Sequence, residues 1–230
     1  MNNTTELGMR DKPQVLEDEY HRRFGARAEY RDRVWKVLCD SYFSKFVPAQ
    51  SAVLDLGAGW GEFSRNIAAR EKYAIDLNPE TRRRVEGFAR FFHQDCSKPW
   101  PLVDASLDVV FTSNFLEHLP SKDAVDETLR ECRRCLKPGG KMLCLGPNIR
   151  YVNGAYWDFW DHHIPITDAS MAEALELQGF KVEQRIARFL PYTMSGNREM
   201  PLVFVKAYLN MPFAWPIFGK QFLVVATRSP

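Results

Sequence analysis

The run Val53-Leu54-Asp55-Leu56-Gly57-Ala58-Gly59-Trp60-Gly61-Glu62-Phe63 constrains this chain more than any other stretch. It joins a short apolar run, an acid, three alternating glycines and the start of a helical pattern. A continuous apolar run bounded by a turn reads as a strand buried on both faces. Glycines at 57, 59 and 61 reach backbone angles closed to other residues and let the main chain approach a ligand closely. A helix opening at Gly61 turns its free N–H groups toward the same space. Together these make a nucleotide cradle. The dinucleotide fingerprint G-x-G-x-x-G requires glycine at 62, where this chain carries Glu62, an acid that sits badly beside a pyrophosphate. A cationic nucleoside without phosphates fits better than a nicotinamide cofactor.

After Pro48, short apolar runs alternate with helical segments, the pattern of an α/β doubly wound parallel sheet. Strands are expected near 52–56, 73–76, 90–93, 107–112 and 141–146, and helices near 61–70, 79–88, 121–136 and 168–178. In helix 121–136, Ser121 is placed to cap the start, Val125, Leu129, Cys132 and Leu136 form the packing stripe, and Pro138-Gly139-Gly140 stops it. Two further strands are read at Lys181 to Leu190 and Gln221 to Thr227. Ligands of such sheets bind at the carboxyl ends of the strands, and Asp55, Asp76, Asp95 and Ser113 each fall at or just beyond one. Upstream, two helices are expected between Val15 and Phe46, broken near Gly25. The second has its stripe at Tyr30, Val34, Val37, Leu38 and Tyr42. At 230 residues the chain has room for one good-sized α/β domain. Residues 1–48 are read as an N-terminal helical cap and 49–230 as the ligand-binding domain.

The motifs, taken in order, resemble those of class I S-adenosylmethionine-dependent methyltransferases. Asp55-x-Gly57-x-Gly59-x-Gly61 resembles the first motif of that family. Tyr73-Ala74-Ile75-Asp76-Leu77-Asn78 resembles the second strand with its ribose-gripping acid, and Phe92-His93-Gln94-Asp95-Cys96 the third strand with its adenine-contacting turn. Leu107 to Leu119, ending Ser113-Asn114-Phe115-Leu116-Glu117-His118-Leu119, resembles the fourth strand and its catalytic-face loop. Leu136-Lys137-Pro138-Gly139-Gly140-Lys141 resembles the turn into the fifth. The resemblance spans residues 50 to 150. It implies a seven-stranded, mostly parallel sheet whose last two strands run antiparallel, S-adenosylmethionine as cofactor and S-adenosylhomocysteine as product.

The same resemblance implies a residue set for the cofactor. Asp55, Gly57, Ala58, Gly59 and Phe63 stand at its methionine end, and Asp76 takes the ribose hydroxyls. Leu77 covers an adenine face beside Asn78, and Asp95 with Cys96 meets the adenine edge. Ser113, Asn114 and Phe115 line the loop after the fourth strand. Tyr20 and Arg23 resemble an N-terminal cap over the cofactor carboxylate, where Arg23 offers a bidentate contact.

Methyl transfer from a sulfonium is an in-line displacement that needs alignment, a dry site and, for an unreactive acceptor, removal of a proton. His118 follows the fourth strand and changes charge near neutral pH, so it is a base or a wall of the cofactor pocket. The loop 147–168 carries Tyr151, Tyr156, Trp157, Asp158, Trp160, Asp161, His162 and His163. Aromatic faces at Tyr151, Tyr156, Trp157 and Trp160 suit a sugar or ring, and Asp161, His162 or His163 is placed to withdraw a proton from a hydroxyl. The spacing of Asp158, Asp161, His162 and His163 matches no strong metal-ligand signature, and no metal is expected. The expected acceptor is therefore a hydroxyl of a small molecule or glycan, with amine methylation and a non-catalytic cofactor-binding module as alternatives.

Residues 191–219 form a hydrophobic insertion between the last two strands, and 200–218 carries one charge, Lys206. Three prolines and Asn210 argue against a membrane span, leaving peripheral membrane contact or a homodimer as its use. A net charge of +2 gives no electrostatic case for nucleic acid. Five scattered cysteines suit reduced thiols, with Cys132 and Cys135 as helix residues, not half of a zinc site. The polar opening Asn2-Asn3-Thr4-Thr5-Glu6 has no leader pattern, which leads to an expected cytoplasmic location.

Overall fold

Every residue of β1 (Ala52–Leu56) is buried, as befits a strand with neighbours on both edges and a packed layer on each face. A computed structural model of the protein describes residues 27–192 and 199–230. Beside β1 lie β2 (Glu71–Asp76), β3 (Arg90–His93), β4 (Leu107–Ser113), β5 (Leu136–Pro147), β6 (Phe180–Leu190) and β7 (Gln221–Arg228). The sheet order is β3-β2-β1-β4-β5-β7-β6. The first five strands pair in parallel, while β7 pairs antiparallel with both β5 and β6. This is the seven-stranded sheet expected above. The order reverses at β1, where chain connections diverge to the two halves of the sheet and open a crevice.

One face of the sheet is covered by α4 (Lys122–Cys135) and, after the short α5 (Ile149–Val152), by α6 (Asp168–Leu177). Leu129, Cys132 and Leu175 meet Leu54, Val110, Met142 and Val224 there. Ser121 caps α4 as its sequence position foretold, its side chain accepting from the Ala124 N–H at 3.2 Å. All five cysteines are free and buried, Cys132 and Cys135 among them. The other face is covered by α1 (Ala28–Ser41), which, with Tyr42 just past its end, sinks Leu38 and Cys39 into a second core with Phe63, Phe111, Leu143 and Leu223. Phe63 stacks on Phe111 with centroids 3.8 Å apart, contributing about 1 kcal/mol beyond its burial. Arg31 of α1 pairs with Glu62 at 2.9 Å, both nearly buried.

The first two helices of the sheet are shorter than the sequence pattern suggested. α2 spans Glu62–Asn66 and α3 spans Glu80–Val85. The chain leaves α2 at Ile67, which turns extended to bury itself beside Phe63 and so leads directly into β2. β2 accordingly opens at Glu71, two residues ahead of expectation.

The segment after β6 forms α7 (Leu202–Leu209) and α8 (Trp215–Phe218). It is partly structural. Tyr208 donates to the Phe189 carbonyl at 2.7 Å, Trp215 Nε1 donates to the Tyr208 carbonyl at 3.0 Å, and Trp215 packs edge-on against Tyr42 and Phe189. Its outer face leaves Val203, Phe204, Phe213, Ile217 and Phe218 exposed. No helix among the described residues is long and apolar enough to cross a membrane.

Candidate active site

The crevice at the end of β1 is built by a turn that only glycine fits. Gly57 has φ +68°, and a Cβ there would stand 2.2 Å from Cγ of Phe115, whose ring lies across the turn. Gly61, with φ +71°, would drive a Cβ to 2.5 Å from Val85. Between them the Gly59 N–H donates to Asp76 at 2.7 Å, while the other Asp76 oxygen accepts from Asn78 N–H at 2.7 Å. The acid closing β2 and the glycine turn closing β1 thus form one unit. Burial raises the Asp76 carboxyl above its usual range, against the pull of the Asn78, Gly59 and Leu77 amides. Leu77, the residue after Asp76, is half exposed.

Other residues expected to touch the cofactor also make contacts within the protein. Asp55 is 4% exposed and accepts from the Ser64 hydroxyl at 2.7 Å and the Ser64 N–H at 3.2 Å, tying α2 to β1 from beneath the turn. Burial, opposed by those bonds, pushes its carboxyl up to about 7. Phe63 is a core residue, because its ring is committed to Phe111. The Ala58 and Cys96 side chains are buried, with the Cys96 sulfur 3.4 Å from the Thr128 hydroxyl under α4. Asp95 closes its own turn, accepting from the Ser97 N–H and hydroxyl at 2.9 and 2.8 Å. Asn78 is buried and caps the Glu80 amide at 2.9 Å. Asn114 takes φ +49° just past β4 and donates to the Ser113 hydroxyl at 2.9 Å. Tyr20 and Arg23 lie outside the described residues.

Two distant candidates for the acceptor chemistry come together. A short 3-10 turn, Leu116–His118, follows β4 and carries Glu117 and His118. The loop bearing Asp161 and His162 returns to it, pinned by N–H bonds from His163 and Ile164 to the Glu117 carbonyl at 2.8 and 3.1 Å. Nδ1 of His118 then stands 3.1 Å from the Asp161 carboxylate and 3.0 Å from the Asp161 carbonyl. Its Nε2 lies 4.0 Å from the Glu117 carboxylate. Burial works against the His118 imidazolium, but the Asp161 hydrogen bond and the charges of Glu117 and Asp161 outweigh it and raise the pKa. Burial raises the Glu117 carboxyl, with the His118 charge opposing. The His162 ring meets His118 edge-on at 4.8 Å and stacks on Phe159 at 5.0 Å.

His163 is not part of this cluster; its side chain is exposed while its backbone holds Glu117. Tyr156, expected to offer a face to substrate, is fully buried, its hydroxyl donating to the Ile164 carbonyl and its ring backing His162 at 4.5 Å. Trp157 and Trp160 are exposed, and Tyr151 lies under Arg188 at 4.8 Å. Glu117 is a candidate that the sequence reading did not single out. Its adjacency to His118 after a buried strand was the available signal. One ligand atom from each of Glu117, His118 and His162 lies within 4.8 Å of the others. A separate groove of about 570 Å³, lined by Arg130, Arg133, Arg134 and Arg228, lies at the amino-terminal ends of the parallel strands and shares no residue with this site.

The fold is that of the class I S-adenosylmethionine-dependent methyltransferases. Residues 54–144 match the family model described as a methyltransferase domain. The chain is 30% identical over 132 residues to the ubiquinone/menaquinone biosynthesis C-methyltransferase UbiE of Rubrivivax gelatinosus, a match covering 54% of this chain and 48% of that protein. It is 33% identical over 145 residues to a probable S-adenosylmethionine-dependent methyltransferase of Mycolicibacterium smegmatis, covering 60% of this chain and 54% of the relative. The matches therefore span about half the length of these curated relatives. Among solved structures, an S-adenosylmethionine-dependent methyltransferase of Archaeoglobus fulgidus superposes with a TM-score of 0.60 at 18% identity, covering 95% of this chain and 100% of that one. A chain crystallised with a methyltransferase activator from Haloferax volcanii reaches 0.67 at 18% identity, covering 97% and 100%.

Proposed function

We propose that the protein is an S-adenosylmethionine-dependent methyltransferase acting on a hydroxyl of a small molecule or glycan. The observation that carries the cofactor reading is the bond from Gly59 N–H to Asp76, which sets a ribose-binding acid beside a glycine turn backed by Glu62 in place of a third fingerprint glycine. Each Asp76 oxygen already accepts one backbone N–H and keeps lone-pair capacity for a ribose hydroxyl. Leu77 then lies against adenine, and Gly57 and Ser113 to Phe115 border the methionine end.

The acceptor reading rests on the cluster of Glu117, His118, Asp161 and His162, at the carboxyl end of β4 where the transferable methyl of this fold class is directed. In the reaction the acceptor O–H bond breaks and its proton leaves through this cluster. S-adenosylmethionine, held by Asp76, Leu77 and the Gly57 turn, would supply the methyl group that replaces this proton and would leave as S-adenosylhomocysteine. Trp157 and Trp160 offer faces to a sugar or ring at the entrance. The exposed apolar side chains of α7 and α8, with Lys206 and Lys220 as the charges between 200 and 220, favour an acceptor attached to lipid at an anionic membrane surface.

Calorimetric titration with S-adenosylhomocysteine and with NAD tests the cofactor, and binding of NAD alone would refute the reading. An acceptor screen scored by a gain of one methyl in mass spectrometry tests the acceptor. The C-methyltransferase relatives favour a second reading, methylation of an electron-rich carbon. The position of the new methyl in the product distinguishes the two.

A further inference from the structure

The acceptor-side cluster gathers two carboxylates around two imidazoles in a way that calls for a cation. Nδ1 of His118 faces two acceptors, the Asp161 carboxylate at 3.1 Å and the Asp161 carbonyl at 3.0 Å, so that nitrogen carries the ring hydrogen. In the neutral ring this turns the Nε2 lone pair toward the Glu117 carboxylate, 4.0 Å away and itself 2% exposed. A metal ion placed between that nitrogen and the carboxylate would be held by both. His162, 6% exposed, completes the ring of ligand atoms, and Phe159 and Tyr156 fix its plane.

We infer that Glu117, His118 and His162 form a binding site for one divalent transition-metal ion, with Asp161 as the carboxylate that orients His118. Two imidazoles and one carboxylate suit zinc, cobalt, nickel or iron(II) better than magnesium or calcium, which prefer all-oxygen shells. The three ligand atoms lie within 4.8 Å of one another. Ligands on a single tetrahedral zinc stand about 3.4 Å apart, so small side-chain rotations close the site. A carboxylate holding the far nitrogen of a ligating histidine is the usual outer support of such sites. Three protein ligands leave a fourth position open for an acceptor oxygen, and this extension rests on the reading of the cluster as the place of acceptor activation.

The test uses the full chain stripped with chelator and titrated with Zn²⁺ and, separately, Co²⁺, read by calorimetry and by the visible absorption of bound cobalt. One equivalent is expected, with a tetrahedral cobalt spectrum. Glu117→Gln, His118→Ala and His162→Ala should each weaken binding by at least about tenfold, Asp161→Asn by about 10- to 100-fold, and His163→Ala not at all. Binding of S-adenosylhomocysteine by each variant reports that it is folded. Absence of stoichiometric metal, or equal binding by the His118 and His162 variants, overturns the inference. Methylation that persists in chelator, with no metal bound, sinks the metal site and leaves the enzyme reading standing. Metal bound by a chain that ignores S-adenosylhomocysteine does the reverse.

Discussion

Replacing Gly57 with alanine should injure the protein in two separable ways. The residue sits at φ +68°, a left-handed backbone that costs an L side chain about 1–2 kcal/mol. The new Cβ would also meet Phe115 Cγ at 2.2 Å, Cδ2 at 2.3 Å and Cβ at 2.7 Å. Carbon atoms rest comfortably at about 3.5–4.0 Å, so the ring must move by more than an ångström. Overpacking of that kind costs about 1–3 kcal/mol. The total, about 2–5 kcal/mol, is a large part of the roughly 5–15 kcal/mol that holds a domain folded. Urea unfolding of Gly57→Ala, Phe115→Ala and the double variant separates the parts. The double variant should be more stable than the sum of the singles predicts by about 1–3 kcal/mol, because truncating Phe115 removes the clash and leaves only the backbone strain. Strictly additive losses, or a Gly57→Ala variant within about 0.5 kcal/mol of wild type, would refute the close approach of ring and turn.

Glu62→Gln removes the carboxylate charge that faces Arg31 in a nearly closed site and should cost about 1–3 kcal/mol, whereas the pair Arg31→Met with Glu62→Leu should recover most of it; urea midpoints check both. Asp55 carries a folded-state pKa of about 7 against an ordinary 3.8, so the folded chain holds a proton that the unfolded chain releases between these values. Its contribution is complete below about pH 4 and is lost as pH rises through about 7, a change on the order of 4 kcal/mol. Asp55→Asn should therefore flatten the decline in stability between about pH 5 and pH 8, and an unchanged slope would count against the buried acid. Asp161→Asn should lower turnover by about 100-fold or more while S-adenosylhomocysteine affinity stays within about twofold, since it disturbs His118 and leaves the nucleoside crevice intact.

Local chemistry made the framework readable. Apolar runs placed all seven strands and Ser121 announced α4, because strands and caps depend on neighbours within a few residues; β5 nevertheless opens at Leu136, so that Pro138-Gly139-Gly140 lies within it and does not stop α4, which ends at Cys135. The site was less legible wherever tertiary packing decides the use of a side chain. Phe63 and Tyr156 look like ligand contacts in sequence, yet each ring is claimed by partners far along the chain or beneath the loop. Nothing in the spacing of His118 and Asp161, 43 residues apart, tells that a loop returns to join them. Glu117 was overlooked for a related reason, since its burial is created by that same returning loop.

The sheet's topology has a consequence for how the chain can assemble. β7 follows every other strand in sequence, yet it lies between β5 and β6, and its first six residues are buried. Until Gln221–Arg228 inserts, β5 and β6 have no ladder joining them, and each presents an unzipped edge to solvent or to another molecule. Completion must wait for a segment that pairs with a strand some 80 positions earlier, a closure expected to be slow and exposed to misassembly. Weakening that late keystone strand should thus harm yield in the cell more than it harms the finished molecule.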